Sequence, residues 1–126
     1  MKIAEARMLV LRRFPRASAR PTGSVVRLDG VPGLTSEGVN EEAAWINAAG
    51  ELADPVLNAS REARVNAAVV GAFRALPGDV KHPMALIKQL EADGYSSMQA
   101  MAAINAAVAA DVLVLIDGAS VRLSNA

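Results

Sequence analysis

The sequence predicts a mainly α-helical fold with a small β-hairpin near its C-terminus, an α+β class. Apolar residues recur at helical spacing through residues 40–110, and a short β-branched run with a tight-turn signal follows them. The chain has 126 residues, 52% of them hydrophobic, which is enough to bury one core. We therefore expect a single compact domain over 1–126, with a basic N-terminal helix and loop-rich arm at 1–38 and a helical core at 40–126.

The first 30 residues are strongly basic. They carry seven lysines and arginines against two acidic residues, whereas the whole chain has zero net charge. Ile3–Phe14 has the pattern of an amphipathic helix, so its arginines fit either a solvated helix face or an arm that binds phosphate, an acidic partner or an anionic surface. Because Glu5 and Arg7 interrupt the apolar residues, no secretory signal is expected, and the protein is expected to be cytoplasmic with no membrane contact.

The segment after this helix is rich in turn-forming residues. Pro15–Gly38 contains seven prolines and glycines, which predicts mostly loop around one strand at Ser24–Leu28. That strand is expected to pair with the C-terminal hairpin or with a short strand between two of the later helices.

Two helices are predicted in the middle of the chain. Asn40 is a candidate N-cap for a helix from Glu41 to about Ala53, whose acidic first turn suits the helix dipole. A second helix is expected to begin at a cap formed by Ser60 or Asn58 and to run to Leu76.

His82, the only histidine, precedes a predicted helix at Pro83–Ala92 that Gly94 ends. We expect a capping or surface role for His82, because general-base catalysis needs an oriented partner. The sequence has no cysteine, no phosphate-binding loop, no dinucleotide fingerprint and no metal-ligand spacing. We therefore expect no enzymatic activity, no cofactor and no metal.

Ser96 and Gln99 have the spacing of a capping box at the start of a helix over Ser97–Ala110. Within this helix we expect one apolar stripe to face the core, made of Met98, Met101, Ile104 and Val108.

The C-terminal residues predict a β-hairpin. Val112–Ile116 is a β-branched run, Asp117-Gly118 is a strong signal for a tight turn, and Val121–Leu123 forms the returning strand.

This order of elements resembles the winged helix-turn-helix superfamily, which includes many bacterial transcription regulators. The resemblance covers Ala63–Ser124 within a domain at about 60–124, and its motifs are Ser96-Ser97-Met98-Gln99 and the hairpin Val114-Leu115-Ile116-Asp117-Gly118 with Val121-Arg122-Leu123. In that superfamily the helix equivalent to Ser97–Ala110 commonly enters the major groove, and the wing touches phosphate or the minor groove. The resemblance implies a transcription regulator that binds double-stranded DNA, and the alanine-rich composition is typical of a bacterial or phage protein.

The residues expected to contact DNA fall into three groups. The arm supplies phosphate contacts, the second helix of the motif reads bases, and one residue supports the wing. In that order they are Arg12, Arg13, Arg16 and Arg20; Ser96, Ser97, Gln99 and Asn105; and Arg122.

The helix Ser97–Ala110 also supports an alternative function. It contains no lysine or arginine, and residues from Asp79 onward carry three basic against five acidic side chains. Phosphate contacts dominate affinity for DNA, while small side chains allow another helix to approach closely. The alternative is a protein-interaction module that uses this helix for homodimerisation or for assembly into a larger complex, without binding DNA.

Overall fold

The computed structural model describes residues 1–117 and 119–124, which form five helices and four short strands, so the α+β class is confirmed. The chain divides into two compact units, residues 1–62 (unit 1) and 63–126 (unit 2), each with its own hydrophobic core where a single core was expected. The elements are α1 (Ile3–Arg13), β1 (Ser18–Thr22), β2 (Val25–Asp29), α2 (Glu41–Ala53), α3 (Pro55–Ala75), α4 (Pro83–Ala92), α5 (Ser97–Ala109), β3 (Leu113–Ile116) and β4 (Ser120–Leu123).

The core of unit 1 joins α1 to α2. Ala6 and Val10 of α1 are fully buried in one apolar cluster with Trp45 and Leu52 of α2. The segment 1–38, predicted as a basic helix and a loop-rich arm, contains that helix as α1 and is part of a folded unit.

Unit 1 also contains a hairpin that the sequence interpretation missed. β2 pairs antiparallel with β1, so both predicted pairings of Ser24–Leu28, with the C-terminal hairpin or with a short strand between the later helices, are wrong. The connection passes through Gly23 at φ +66°, a backbone region that glycine adopts without strain. Pro21 lies opposite Val26, whose N–H and C=O bond to Gly38 on the other side. Pro21 thus occupies a non-hydrogen-bonded position, where its missing N–H costs nothing.

α2 begins as predicted. The Asn40 side chain accepts a hydrogen bond from the Ala43 N–H at 2.8 Å. Just before it, Gly38 lies so close to the first turn that an added Cβ would stand 2.6 Å from the carbonyl carbon of Ala43. The absence of a side chain at Gly38 therefore allows the loop to close onto α2.

The predicted start of α3 is wrong, because the helix begins five residues before Ser60. Pro55 occupies its first position, and Asp54 Oδ1 accepts hydrogen bonds from the N–H groups of Val56 and Leu57. Proline suits a first turn because its missing N–H would have no helical partner there, and aspartate is a preferred cap.

Glu51 fastens the loop before α2 onto that helix. Its carboxylate, 5% exposed, accepts hydrogen bonds from the Thr35 N–H, the Thr35 hydroxyl at 2.5 Å and the Ser36 hydroxyl at 2.7 Å. Burial alone raises the pKa of this carboxyl group, but the hydrogen bonds from Thr35 and Ser36 together outweigh burial and bring the pKa below its ordinary value of 4.5.

The Glu51→Gln variant is expected to lower the free energy of unfolding at pH 7 by about 1–3 kcal/mol, because hydrogen bonds to a charged group are lost. Since the folded-state pKa is the lower one, this stabilisation is present above about pH 4.5 and disappears as the pH falls through the folded-state value. Urea unfolding at a series of pH values should show the two proteins converging in acid. Glu42→Gln, an exposed change on the same helix, is the control, and a pH-independent difference would contradict the role assigned to Glu51.

The helix ends in unit 2 follow the local sequence signals. His82 Nδ1 accepts a hydrogen bond from the Met84 N–H at 3.1 Å, which confirms the capping role. The capping box of Ser96 and Gln99 is present in both directions, and Gly94 lies at φ +106° after α4. The predicted helix at Pro83–Ala92 and the predicted start of α5 are therefore confirmed.

The face that α5 turns to the core differs from the prediction. Ile104 is buried as expected, but its buried neighbours are alanines rather than the methionines of the predicted stripe. Met98 and Met101 are half-buried and are not packed against the core cluster. The alanines let α5 approach the core closely. Of the predicted stripe, Ile104 is buried and Val108 packs against the core cluster, whereas the two methionines do not. The buried alanines are Ala100, Ala103 and Ala107.

The C-terminal hairpin is confirmed as β3 and β4, with Asp117 in the turn at φ +52° and Gly118 outside the described residues. Val121 of β4 exchanges both backbone hydrogen bonds with Lys81, which precedes α4. Because the backbone of Val121 is turned towards Lys81, its opposite residue on β3, Leu115, turns its N–H and C=O away from β4. The Leu115 side chain is 53% exposed, so β3 presents an open edge there.

Candidate functional site

The arginines expected to contact phosphate lie in unit 1, at the end of α1 and just after it. Arg12 and Arg13 are in the last turn of α1, where positive charge stabilises the negative end of the helix dipole. Arg13 Nη1 also donates to the Leu52 carbonyl at 3.3 Å, one of the final carbonyls of α2. Arg13 thus caps a neighbouring helix, whereas Arg12 and Arg16 are exposed and have no ion pair in the described part of the chain.

The hairpin of unit 1 places two arginines directly opposite each other. Arg20 on β1 faces Arg27 on β2, a like-charge pair that is unfavourable without counterions. Arg20 Nη1 lies 3.7 Å from the Asp29 carboxylate, and Arg27 Nε lies 3.2 Å from that of Glu37. Arg27 was not among the predicted site residues, although Gly23-Ser24, a hairpin turn signal, could have revealed its position beside Arg20.

The positive charge of the N-terminal segment is balanced within its own unit. Unit 1 contains eight basic and eight acidic residues, and unit 2 contains five of each. A neutral unit attracts a polyanion weakly over distance, because long-range steering depends on summed charge. The excess seen along the sequence therefore does not produce a net positive unit.

The side chains expected to read bases are only partly accessible. The Ser96 hydroxyl accepts from the Gln99 N–H at 3.1 Å, and the Gln99 side chain accepts from the Ser96 N–H at 3.3 Å. Both residues are thus used to start α5. Ser97 and Asn105 are exposed, whereas Arg122 is half-buried and donates to the Leu123 carbonyl at 3.3 Å.

The side of α5 opposite its buried alanines forms one continuous surface, which we name the α5 outer face. It contains no charged side chain, and its only polar side chain is Asn105. The methionines are half-buried, and Asn105 is exposed. The residues of the α5 outer face are Met98, Met101, Ala102, Asn105, Ala106 and Ala109.

His82 is used as a helix cap, and residues 1–117 and 119–124 hold no group of three His, Asp or Glu side chains placed to bind a metal ion. Burial raises the pKa of the Tyr95 phenol; the Arg64 guanidinium lowers it and the Asp93 carboxylate raises it further. In the described chain no helix is both long enough and apolar enough to cross a membrane.

Comparisons of the chain with protein-family models, curated proteins and solved structures gave no match. The surfaces described above are therefore the basis for inferring function.

Proposed function

We propose that the chain is a non-enzymatic protein-interaction module of the winged-helix type, and that the α5 outer face is its contact surface. The order of elements in unit 2 supports the winged-helix assignment. The second half of α3 is followed by the Lys81 bridge, then by α4 and α5, and finally by a hairpin whose second strand pairs with Lys81. This is the succession expected of a helix-turn-helix with a wing.

The composition of the α5 outer face carries the proposal. Its two methionines are not packed on the core, and methionine adapts its shape to apolar partners. The alanines between them allow a partner helix to approach closely. A surface that is depleted of charge in this way suits a protein contact better than a phosphate backbone.

Most of the residues predicted to contact DNA instead make contacts within the chain, which supports the same conclusion. Five of the nine residues make hydrogen bonds or ion pairs within the chain: Arg13, Arg20, Ser96, Gln99 and Arg122. Losing several phosphate contacts removes orders of magnitude of affinity for DNA, because each contact releases counterions.

DNA binding is the second candidate function, and four side chains favour it. Arg12 and Arg16 are exposed in unit 1, and Ser97 and Asn105 are exposed on α5. The carboxamide of Asn105 has the two hydrogen-bonding groups that recognise adenine in the major groove.

A salt series separates the two functions. We expect the full chain to show no binding to a fluorescent mixed-sequence duplex by anisotropy, even as salt falls from about 200 to about 20 mM. An affinity for the duplex that rises steeply as salt falls, and that is lost in the double variant Arg12→Ala/Arg16→Ala, would establish the DNA-binding function instead. Lys2→Ala/Lys88→Ala removes the same charge and is the matched control.

A photo-cross-linking amino acid at position 101 tests the contact surface. The chain that carries the cross-linker is incubated with lysate of the cells in which the protein naturally occurs and is then irradiated. We expect a discrete cross-linked product with a protein partner. The product should disappear when Ala102→Glu places a charge on the same face. A cross-linker at Met8, an exposed methionine of unit 1, is the control. Equal yields from positions 8 and 101 would contradict the assignment of the α5 outer face.

A further inference from the structure

We propose that two copies of the chain associate through a groove in unit 2, lined by one side of α3 and by the end of α5. This surface is distinct from the α5 outer face, so the inference goes beyond the proposed function. The groove has a volume of about 880 Å³, and on the α3 side it is lined by Asn66, Ala67, Val70, Gly71 and Arg74. It lies beside the α3 face that contributes Val65 and Val69 to the core.

Gly71 leaves room for another backbone to approach this groove closely. A Cβ added at Gly71 would meet no atom within 4 Å among the described residues, so the space outside this position is open. Ala67 lies one turn earlier on the same side, and two small residues at this spacing let another helix come near.

Two opposite charges at the groove indicate which partner fits it. Arg74 lies in the last turn of α3 and Asp111 follows α5, and both are exposed. Within residues 1–117 and 119–124, neither side chain has an ion pair or a hydrogen bond. The Asp111 carboxylate also lies at the C-terminal end of a helix, where the dipole disfavours negative charge. A cation from outside the chain would remove this unfavourable interaction.

A second copy of the chain supplies an oppositely charged partner for both Arg74 and Asp111. In a two-fold interface the same patch occurs on both partners, so Arg74 of each copy can face Asp111 of the other. Two ion pairs then form at the ends of a contact centred on Ala67 and Gly71. Unit 2 has five basic and five acidic residues, so two copies meet without net repulsion.

Sedimentation velocity on charge-reversed variants tests the pairing. The full chain is expected to form a dimer, and Arg74→Asp or Asp111→Arg alone should raise its dissociation constant at least about tenfold, because each change replaces two attractions by two repulsions. The double variant, with the charges exchanged, should return to within about threefold of the original value. A monomer at every concentration, or a dimer indifferent to all three variants, would overturn the proposal.

A steric variant tests the same contact without charge. Gly71→Leu should keep or raise the melting temperature of the monomer, since the site is open, while abolishing the dimer. Gly50→Leu, at another open and exposed helix glycine in unit 1, is the matched control and should leave the dimer intact. Met101→Glu should also leave it intact. If Met101→Glu lost the dimer and Gly71→Leu kept it, self-association would be assigned to the α5 outer face and the groove proposal would be overturned.

Discussion

Arg61→Ala is expected to lower the free energy of unfolding of unit 1 by about 2–3 kcal/mol, since the buried Pro32 carbonyl and the Asn58 amide oxygen lose a charged hydrogen-bond donor. Arg61 is 4% exposed; its guanidinium donates to the Pro32 carbonyl at 2.9 Å and twice to Asn58 Oδ1, and it lies over the Phe14 ring. It thus ties α3 to the loop after the hairpin and to the residue that ends α1. Arg61→Lys should recover only part of the loss, because an ammonium group lacks the planar set of donors.

Unfolding in guanidinium chloride, monitored by Trp45 fluorescence, measures this effect, because the only tryptophan lies in the core of unit 1. Arg12→Ala, an exposed arginine of the same unit, should change the midpoint little. A loss below about 1 kcal/mol in Arg61→Ala would show that the buried guanidinium is not a principal support of unit 1.

Gly38→Ala should destabilise unit 1 by about 3 kcal/mol or more, because one methyl group enters space already filled by backbone. The new Cβ would stand 2.6 Å from the Ala43 carbonyl carbon and closer still to the Ala44 nitrogen. Gly38 cannot move away without breaking its two hydrogen bonds to Val26. Neither side can therefore yield, because Ala43 and Ala44 are fixed in α2 and Gly38 is hydrogen-bonded to β2.

The matched control for this prediction has the opposite sign. Gly50→Ala lies in α2 with no atom within 4 Å of the added Cβ, and it should stabilise the unit by about 0.5–1 kcal/mol through helix propensity. The same Trp45 unfolding curve reports both variants. Equal shifts for the two would contradict the close approach of the loop to α2.

The elements of unit 2 could be predicted because their signals are local. A capping box, a proline at a first turn and a glycine after a last turn each act within a few residues, and α4, α5 and the hairpin begin or end at them. The buried side of α5 could not be predicted in this way. Most of that helix is apolar, so periodicity alone does not distinguish Met98 and Met101 from the alanines that face the core.

In unit 1 the deciding facts are non-local. Pro21 resembles a strand breaker until the register shows that it lies opposite a residue already bonded to Gly38. Ser60 is an acceptable cap taken alone, yet the Asp54-Pro55 pair starts the helix first. From the sequence Arg13 is expected to be available to phosphate, because Leu52, whose carbonyl it caps, lies 39 residues away along the chain.

The open edge of β3 bears on the solubility of the protein. In the strand Leu113-Val114-Leu115-Ile116, the backbone groups of Leu115 have no partner among the described residues, and such an edge is one on which chains stack and precipitate. Antiparallel stacking of two such strands about Val114 would set Asp111 of one against Asp117 of the other, twice. The two aspartates that bracket the strand therefore act as gatekeepers, repelling the copy that would otherwise extend the sheet.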